Sequence, residues 1–174
     1  MKKKSSSKKR TSKTVPPSDR RDKSLRDHLL YLLKGGGAHI SFDDAMGDWT
    51  FELAGVKVAN FPHTAWMLVE HMRLAQWDIL DFSRDSKHVS PPWPEGYWLA
   101  SATPPDERAW TASMSAFKKD LRTMERLVAD RTVDLYARIP WGDGQTILRE
   151  ALLLADHNAY HLGQLVTLRK SIGI

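Results

Sequence analysis

Six large apolar residues, Trp110, Met114, Phe117, Leu121, Met124 and Val128, recur at steps of 4, 3, 4, 3 and 4. A strand sends alternate residues to opposite faces, so only a helix keeps all six on one side. The stripe is as narrow as a bundle seam, and a helix carrying it must bury it against other helices. Comparable spacing appears three more times. Leu25, Leu29, Leu32 and Leu33 follow Ser24, a candidate N-cap, and the pattern stops at Gly35-Gly36-Gly37, glycine being the usual residue past a helix C-terminus. Leu68, Met72, Ala75, Ile79 and Phe82 predict a helix over about 63–83, just after Pro62. Ile147, Ala151, Leu154, Leu165 and Leu168 predict a last helix over about 145–170. The helix bearing the seam is expected to start near Pro104-Pro105, since proline is tolerated in a first turn.

The segments between these helices carry weaker signals. Ser41-Phe42-Asp43-Asp44 resembles a capping box for a short helical turn, with Asp in place of Glu. Residues 47–62 read as irregular. Leu135, Ala137 and Ile139 alternate briefly before a turn at Gly142-Asp143-Gly144. With no run of strands, the expected fold class is all-α, a four-helix bundle over residues 23–174. The connections 35–62 and 84–104 are longer than the 2–8 residues usual between bundle helices, which leaves chain from which to build a site.

Charge divides the chain of 174 residues into a tail and a body. Residues 1–26 hold 11 of the 26 Lys and Arg but 2 of the 21 Asp and Glu, a local charge of +9, and the remainder carries −4. Residues 1–22, built from Lys, Arg, Ser, Thr and Pro, have too little apolar surface to offset their ordering entropy and are expected to be a disordered basic tail. A nucleic-acid partner would be reached only through that tail. There is no cysteine, which excludes a disulfide framework, a thiolate metal site and a cysteine nucleophile. No apolar run approaches the ~20 residues that span a bilayer. Leu29-Leu30-Tyr31-Leu32-Leu33 is too short and lacks a cleavage site, so no secretory signal is read there. The expectation is a cytoplasmic protein with no membrane partner.

Histidines carry the chemistry. His157 and His161 lie four apart on the predicted last helix, a rotation of about 400°, so their side chains point the same way one turn apart. Both follow the inner face set by Leu154, Leu165 and Leu168. His71 stands three residues after Leu68 and four before Ala75, and it too points inward. Two inward histidines on one helix and one on another can converge in a bundle core, where metal sites are assembled from facing helices. Three imidazoles leave a coordination position open, as at a catalytic rather than a structural zinc site. All-nitrogen ligation suits zinc, nickel or iron(II) without choosing among them. Asp78, Asp156, Asn158 and Gln164 are near enough in sequence to orient the ligating rings. His28, His39, His63 and His88 fall on a polar face, in loops or at a helix start, and read as ordinary surface or capping residues. Asn158 follows His157 where HExxH would need Glu, and GxSxG, P-loop and GxGxxG patterns are absent. The loop from Trp93 to Trp98 either walls the site against an apolar substrate or is simply pinned to the bundle by its aromatics.

Two segments carry a family resemblance. His63-Thr64-Ala65-Trp66-Met67-Leu68-Val69-Glu70-His71-Met72-Arg73, with Ala75-Gln76-Trp77-Asp78-Ile79-Leu80, resembles the second helix of the DinB-like superfamily. Asp156-His157-Asn158-Ala159-Tyr160-His161-Leu162-Gly163-Gln164-Leu165 resembles its last-helix HxxxHxGQL motif. The resemblance covers about 25–172. It implies up-down-down-up connectivity and a divalent metal held by His71, His157 and His161. It also implies kinship with bacillithiol- and mycothiol-dependent transferases, in which a low-molecular-weight thiol is the cosubstrate, and a homodimer acting on a small molecule. The expected function is a metal-dependent enzyme of thiol S-transferase or hydrolase type. The alternatives are a non-catalytic metal-binding or oligomerising bundle and a nucleic-acid-associated protein acting through its tail.

Overall fold

The computed structural model describes residues 17–174, and residues 1–16 of the expected tail lie outside them. Helices occupy Pro17–Lys34 (α1), Phe42–Met46 (α2), Phe51–Ala54 (α3), Ala65–Arg84 (α4), Glu107–Ala129 (α5) and Ile147–Ser171 (α6). A 3-10 turn spans Glu95–Tyr97. Among the described residues there is no strand, only an isolated bridge between Arg138 and Thr146. Nor is any helix among them long and apolar enough to cross a membrane. The all-helical class and the four long helices therefore match the sequence pattern. α4 packs against both α5 and α6, and α1 against α5 and α6.

Local chemistry sets the helix boundaries. Ser41 caps α2 by accepting from the Asp44 N–H at 3.1 Å, as its sequence predicts. Thr64, Asp106 and Thr146 cap α4, α5 and α6 in the same way, accepting from the N–H groups of Met67, Ala109 and Arg149. α4, α5 and α6 therefore start two or three residues later than the sequence pattern suggests, because the cap residue itself is extended. α1 departs more. It begins at Pro17, not at Ser24, so residues 17–22, expected as part of the tail, are helical. Its first turns have no apolar stripe for periodicity to detect. Polar pairs four residues apart support them instead, Asp22 with Arg26 and Lys23 with Asp27. The chain then leaves α1 through Gly35 and Gly36, both at positive φ (67° and 82°), which only glycine adopts without strain. The stretch 47–62, expected as irregular, holds the single turn α3 and the buried Trp49.

The core divides into two apolar clusters. One gathers Phe42, Trp66, Trp110, Phe117 and Leu165, and the other Leu29, Leu80, Met124, Leu135 and Leu154. Buried polar groups tie the helices at fixed points. Arg26, 6% exposed, donates to the carbonyls of Val128 (2.7 Å), Asp130 (2.9 Å) and Val133 (2.7 Å). One α1 side chain thus satisfies acceptors that the end of α5 would otherwise leave orphaned. Gln76 of α4 is fully buried; it donates to the Phe117 carbonyl of α5 at 2.6 Å and accepts from Asn158 Nδ2 of α6 at 3.1 Å. These ties fix α4 against α6, the two helices that carry the inward histidines.

Candidate metal centre

α4 delivers His71 and α6 delivers His157 and His161, and one ring nitrogen from each lies within 4.8 Å of the others. His71 is 3% exposed and His161 6%, while His157 is half-buried. His71 Nε2 and His157 Nε2 are 3.1 Å apart. Two ligands at ~2.0–2.1 Å from a shared zinc ion would stand roughly 3–3.4 Å apart, so the spacing of this pair fits.

Hydrogen bonds decide which nitrogens face the centre. His71 Nδ1 donates to the Tyr97 carbonyl at 3.0 Å, and His161 Nδ1 donates to Gln164 Oε1 at 2.7 Å. Both acceptors lack a proton, so each ring carries its hydrogen on Nδ1 and presents a bare Nε2 lone pair. Orienting a ligand ring through its second nitrogen is the usual outer arrangement of a metal site. His157 Nδ1 is buried without a partner among the described residues. A proton on His157 Nε2 can satisfy one bare lone pair but not both. A cation satisfies all three Nε2 lone pairs at once, and this donor set therefore fits a divalent metal.

Electrostatics point the same way. Burial pushes His157 down to about 3, helped by His161 and His71, with Asn158 working weakly against it. Burial also pushes His161 down to about 4, opposed by Gln164. His71 is lowered by burial and held up partly by the Tyr97 carbonyl. All three are neutral near pH 7, the form that ligates metal.

The loop after α4 completes the site. Trp98 stacks on His71 with ring centroids 3.8 Å apart and planes 4° from parallel, and on His63 at 4.0 Å and 15°. Tyr97 sends its hydroxyl to Asp78 Oδ2 at 2.6 Å, and burial and Asp78 raise its pKa above the ordinary phenol value. His88 Nε2 meets the other oxygen of Asp78, also at 2.6 Å. The loop is therefore pinned to α4 and also walls the histidines.

Of the four residues expected to orient the ligands, Gln164 does so directly. Asp78 acts at one remove, holding the residue whose carbonyl orients His71. Asn158 bonds Gln76 instead, and Asp156 is exposed. Two histidines set aside as surface residues are not ordinary. His88 has a side chain only 5% exposed, against Asp78. His63 shares the histidines' cavity, its Nδ1 is buried without a partner among the described residues, and burial lowers its pKa. His28 and His39 are exposed, as expected.

The cavity at the histidines measures about 310 Å³ and reaches out to Trp93 and Tyr160. A second cavity of about 340 Å³, walled by residues such as Leu33, Phe42, Phe117 and Leu162, contains none of the three histidines. Chemistry, not size, therefore selects the former as the candidate site. No protein-family model matches the chain, and neither a curated protein nor a solved structure does.

Proposed function

We propose that this chain is a metal-dependent enzyme of the DinB-like class, with His71, His157 and His161 holding one divalent ion of zinc, nickel or iron. Its reaction is a thiol S-transfer or a hydrolysis on a small molecule. The observation that carries this is the convergence of three inward, neutral imidazoles, two of them with their tautomers set by Tyr97 and Gln164. An ion bound there would supply Lewis-acid activation of a small thiol or of water near neutral pH.

The chain's own residues do the rest. The Tyr97 carbonyl and Gln164 keep the His71 and His161 lone pairs aimed at the centre. Trp98 covers His71 and limits solvent on that side. Three protein ligands leave a position for a reactant. With no cysteine in the chain, a reacting thiol must arrive from solution. The same reading includes up-down-down-up order for the long helices, a homodimer and a cytoplasmic setting.

The test is a cobalt(II)-substituted protein titrated with a small thiol. A shift in the visible absorption bands that saturates with thiol is the expected result. Bands indifferent to thiol would remove the transferase, and bands indifferent to both thiol and pH would leave a non-catalytic metal centre.

A further inference from the structure

Two large aromatic side chains at the mouth of the histidine cavity are left open to solvent. Trp93 is 74% exposed and Tyr160 65% exposed, yet both line the cavity. Each has one aromatic neighbour among the described residues. The Trp93 ring leans on Tyr97 at 5.4 Å and 59°, and the Tyr160 ring stands nearly edge-on to His161 at 4.8 Å and 79°. Each therefore has aromatic surface that no other protein group covers, although such rings gain most from burial. Deeper in, Trp98 supplies an apolar wall. Among the described residues, no Lys, Arg, Asp or Glu lines this cavity.

Size and charge narrow the ligand further. An apolar cavity of ~150 Å³ admits benzene, so 310 Å³ has room for a ring system with a reacting group attached. Three neutral imidazoles leave a divalent ion's charge uncompensated, which favours an anionic reacting atom at the centre. The rest of the ligand would meet only aromatic and neutral polar surface, where a second charge would be desolvated without a partner.

We propose that the ligand of this site is a small molecule with a planar, uncharged aromatic body, held against Trp93 and Tyr160 while its reacting atom approaches the histidines. This rests on the metal reading above and adds the substrate class to it. Trp93 and Tyr160 are then specificity-determining residues, acting on the ligand body and not on the metal.

The test uses the metal-loaded full chain, its Trp93→Ala and Tyr160→Ala variants, and calorimetric titration with three thiols. These are 4-methylbenzenethiol, cyclohexanethiol, which is uncharged but not planar, and 4-mercaptobenzoate, which is planar but charged. Metal content is measured on the same samples. Both side chains are exposed, so their removal should leave fold and metal intact. Wild type should prefer 4-methylbenzenethiol to both others. Its preference over cyclohexanethiol should fall on the order of tenfold in either variant, the scale of one lost aromatic contact. Comparing variants in this way cancels the different acidities of the thiols. A preference unchanged in both variants, with metal retained, overturns the aromatic assignment alone. Equal binding of 4-mercaptobenzoate overturns the uncharged body. A wild-type chain that holds no metal overturns the metal reading, and this proposal with it.

Discussion

Acid should unfold the metal-free protein by way of its buried histidines, and the size of the effect follows from their surroundings. In the folded chain burial pushes His157 down to about 3 and His161 to about 4, against an ordinary value of 6.5. Above pH 6.5 both rings are neutral whether the chain is folded or not, and they contribute nothing to the pH dependence. As pH falls below 6.5 the unfolded chain takes up protons that the folded chain refuses. Stability is then lost at ~1.4 kcal/mol per pH unit for each ring, until pH reaches the folded value. At pH 5 each ring has cost about 2 kcal/mol, and the pair on the order of 3–4 kcal/mol once partial exposure of His157 is discounted. A domain stable by ~5–15 kcal/mol feels that loss strongly. Carboxylates held below their usual range, such as Glu70 beside Arg73 and Ser113, lose stability only at lower pH, whereas Glu150 and Asp120, raised by burial, add stability as pH falls and offset part of the histidine loss. Urea unfolding of chelator-treated protein from pH 8 to pH 5 measures this. The expected curve is flat above pH 7 and falls below 6.5, and His157→Gln with His161→Gln should make the fall shallower, leaving the smaller share of His71 and His63. A double variant that loses as much stability as wild type between pH 7 and 5 would refute burial of neutral imidazoles at these positions.

Other perturbations test the supports of the site. Arg26→Met strips the carbonyls of Val128, Asp130 and Val133 of their donor; a loss of about 2–4 kcal/mol is expected in urea unfolding. Gln76→Leu removes the polar tie among α4, α5 and α6 and leaves Asn158 Nδ2 unpartnered in the core. It should cost about 1–3 kcal/mol in the same assay. Asp78→Ala frees Tyr97 and His88 and loosens the loop whose carbonyl orients His71. Metal affinity should fall on the order of tenfold in chelator competition, with helical circular dichroism unchanged. Unaltered affinity would show that Tyr97 holds His71 without Asp78.

The long helices and the histidine cluster were legible because both depend on which face of a helix a residue occupies. The 4/3 spacing of Trp110 to Val128 needs no partner to be read, and His71, His157 and His161 fall on faces already marked by leucines. Gln164 was accessible only through its nearness in sequence to His161, a criterion that also picked Asp156 and Asn158, which do not orient the ligands. What escaped has no local signal. The first turns of α1 are polar and held by ion pairs, so apolar periodicity begins too late. The Tyr97 carbonyl that orients His71 is a backbone group 26 residues away, and every residue has one. His88 meets Asp78 only because the loop folds back on α4, and His63 joins the cavity by stacking on Trp98 across another loop. These contacts depend on loop paths, which side-chain periodicity does not specify.

Metal analysis of the purified protein after supply of zinc, nickel or iron(II) bears most directly on the three-histidine centre. Wild type should hold one divalent ion per chain. His71→Ala, His157→Ala and His161→Ala should each hold markedly less while remaining helical. Wild type without stoichiometric metal, or three variants that retain it in full, would contradict the assignment of His71, His157 and His161 as its ligands.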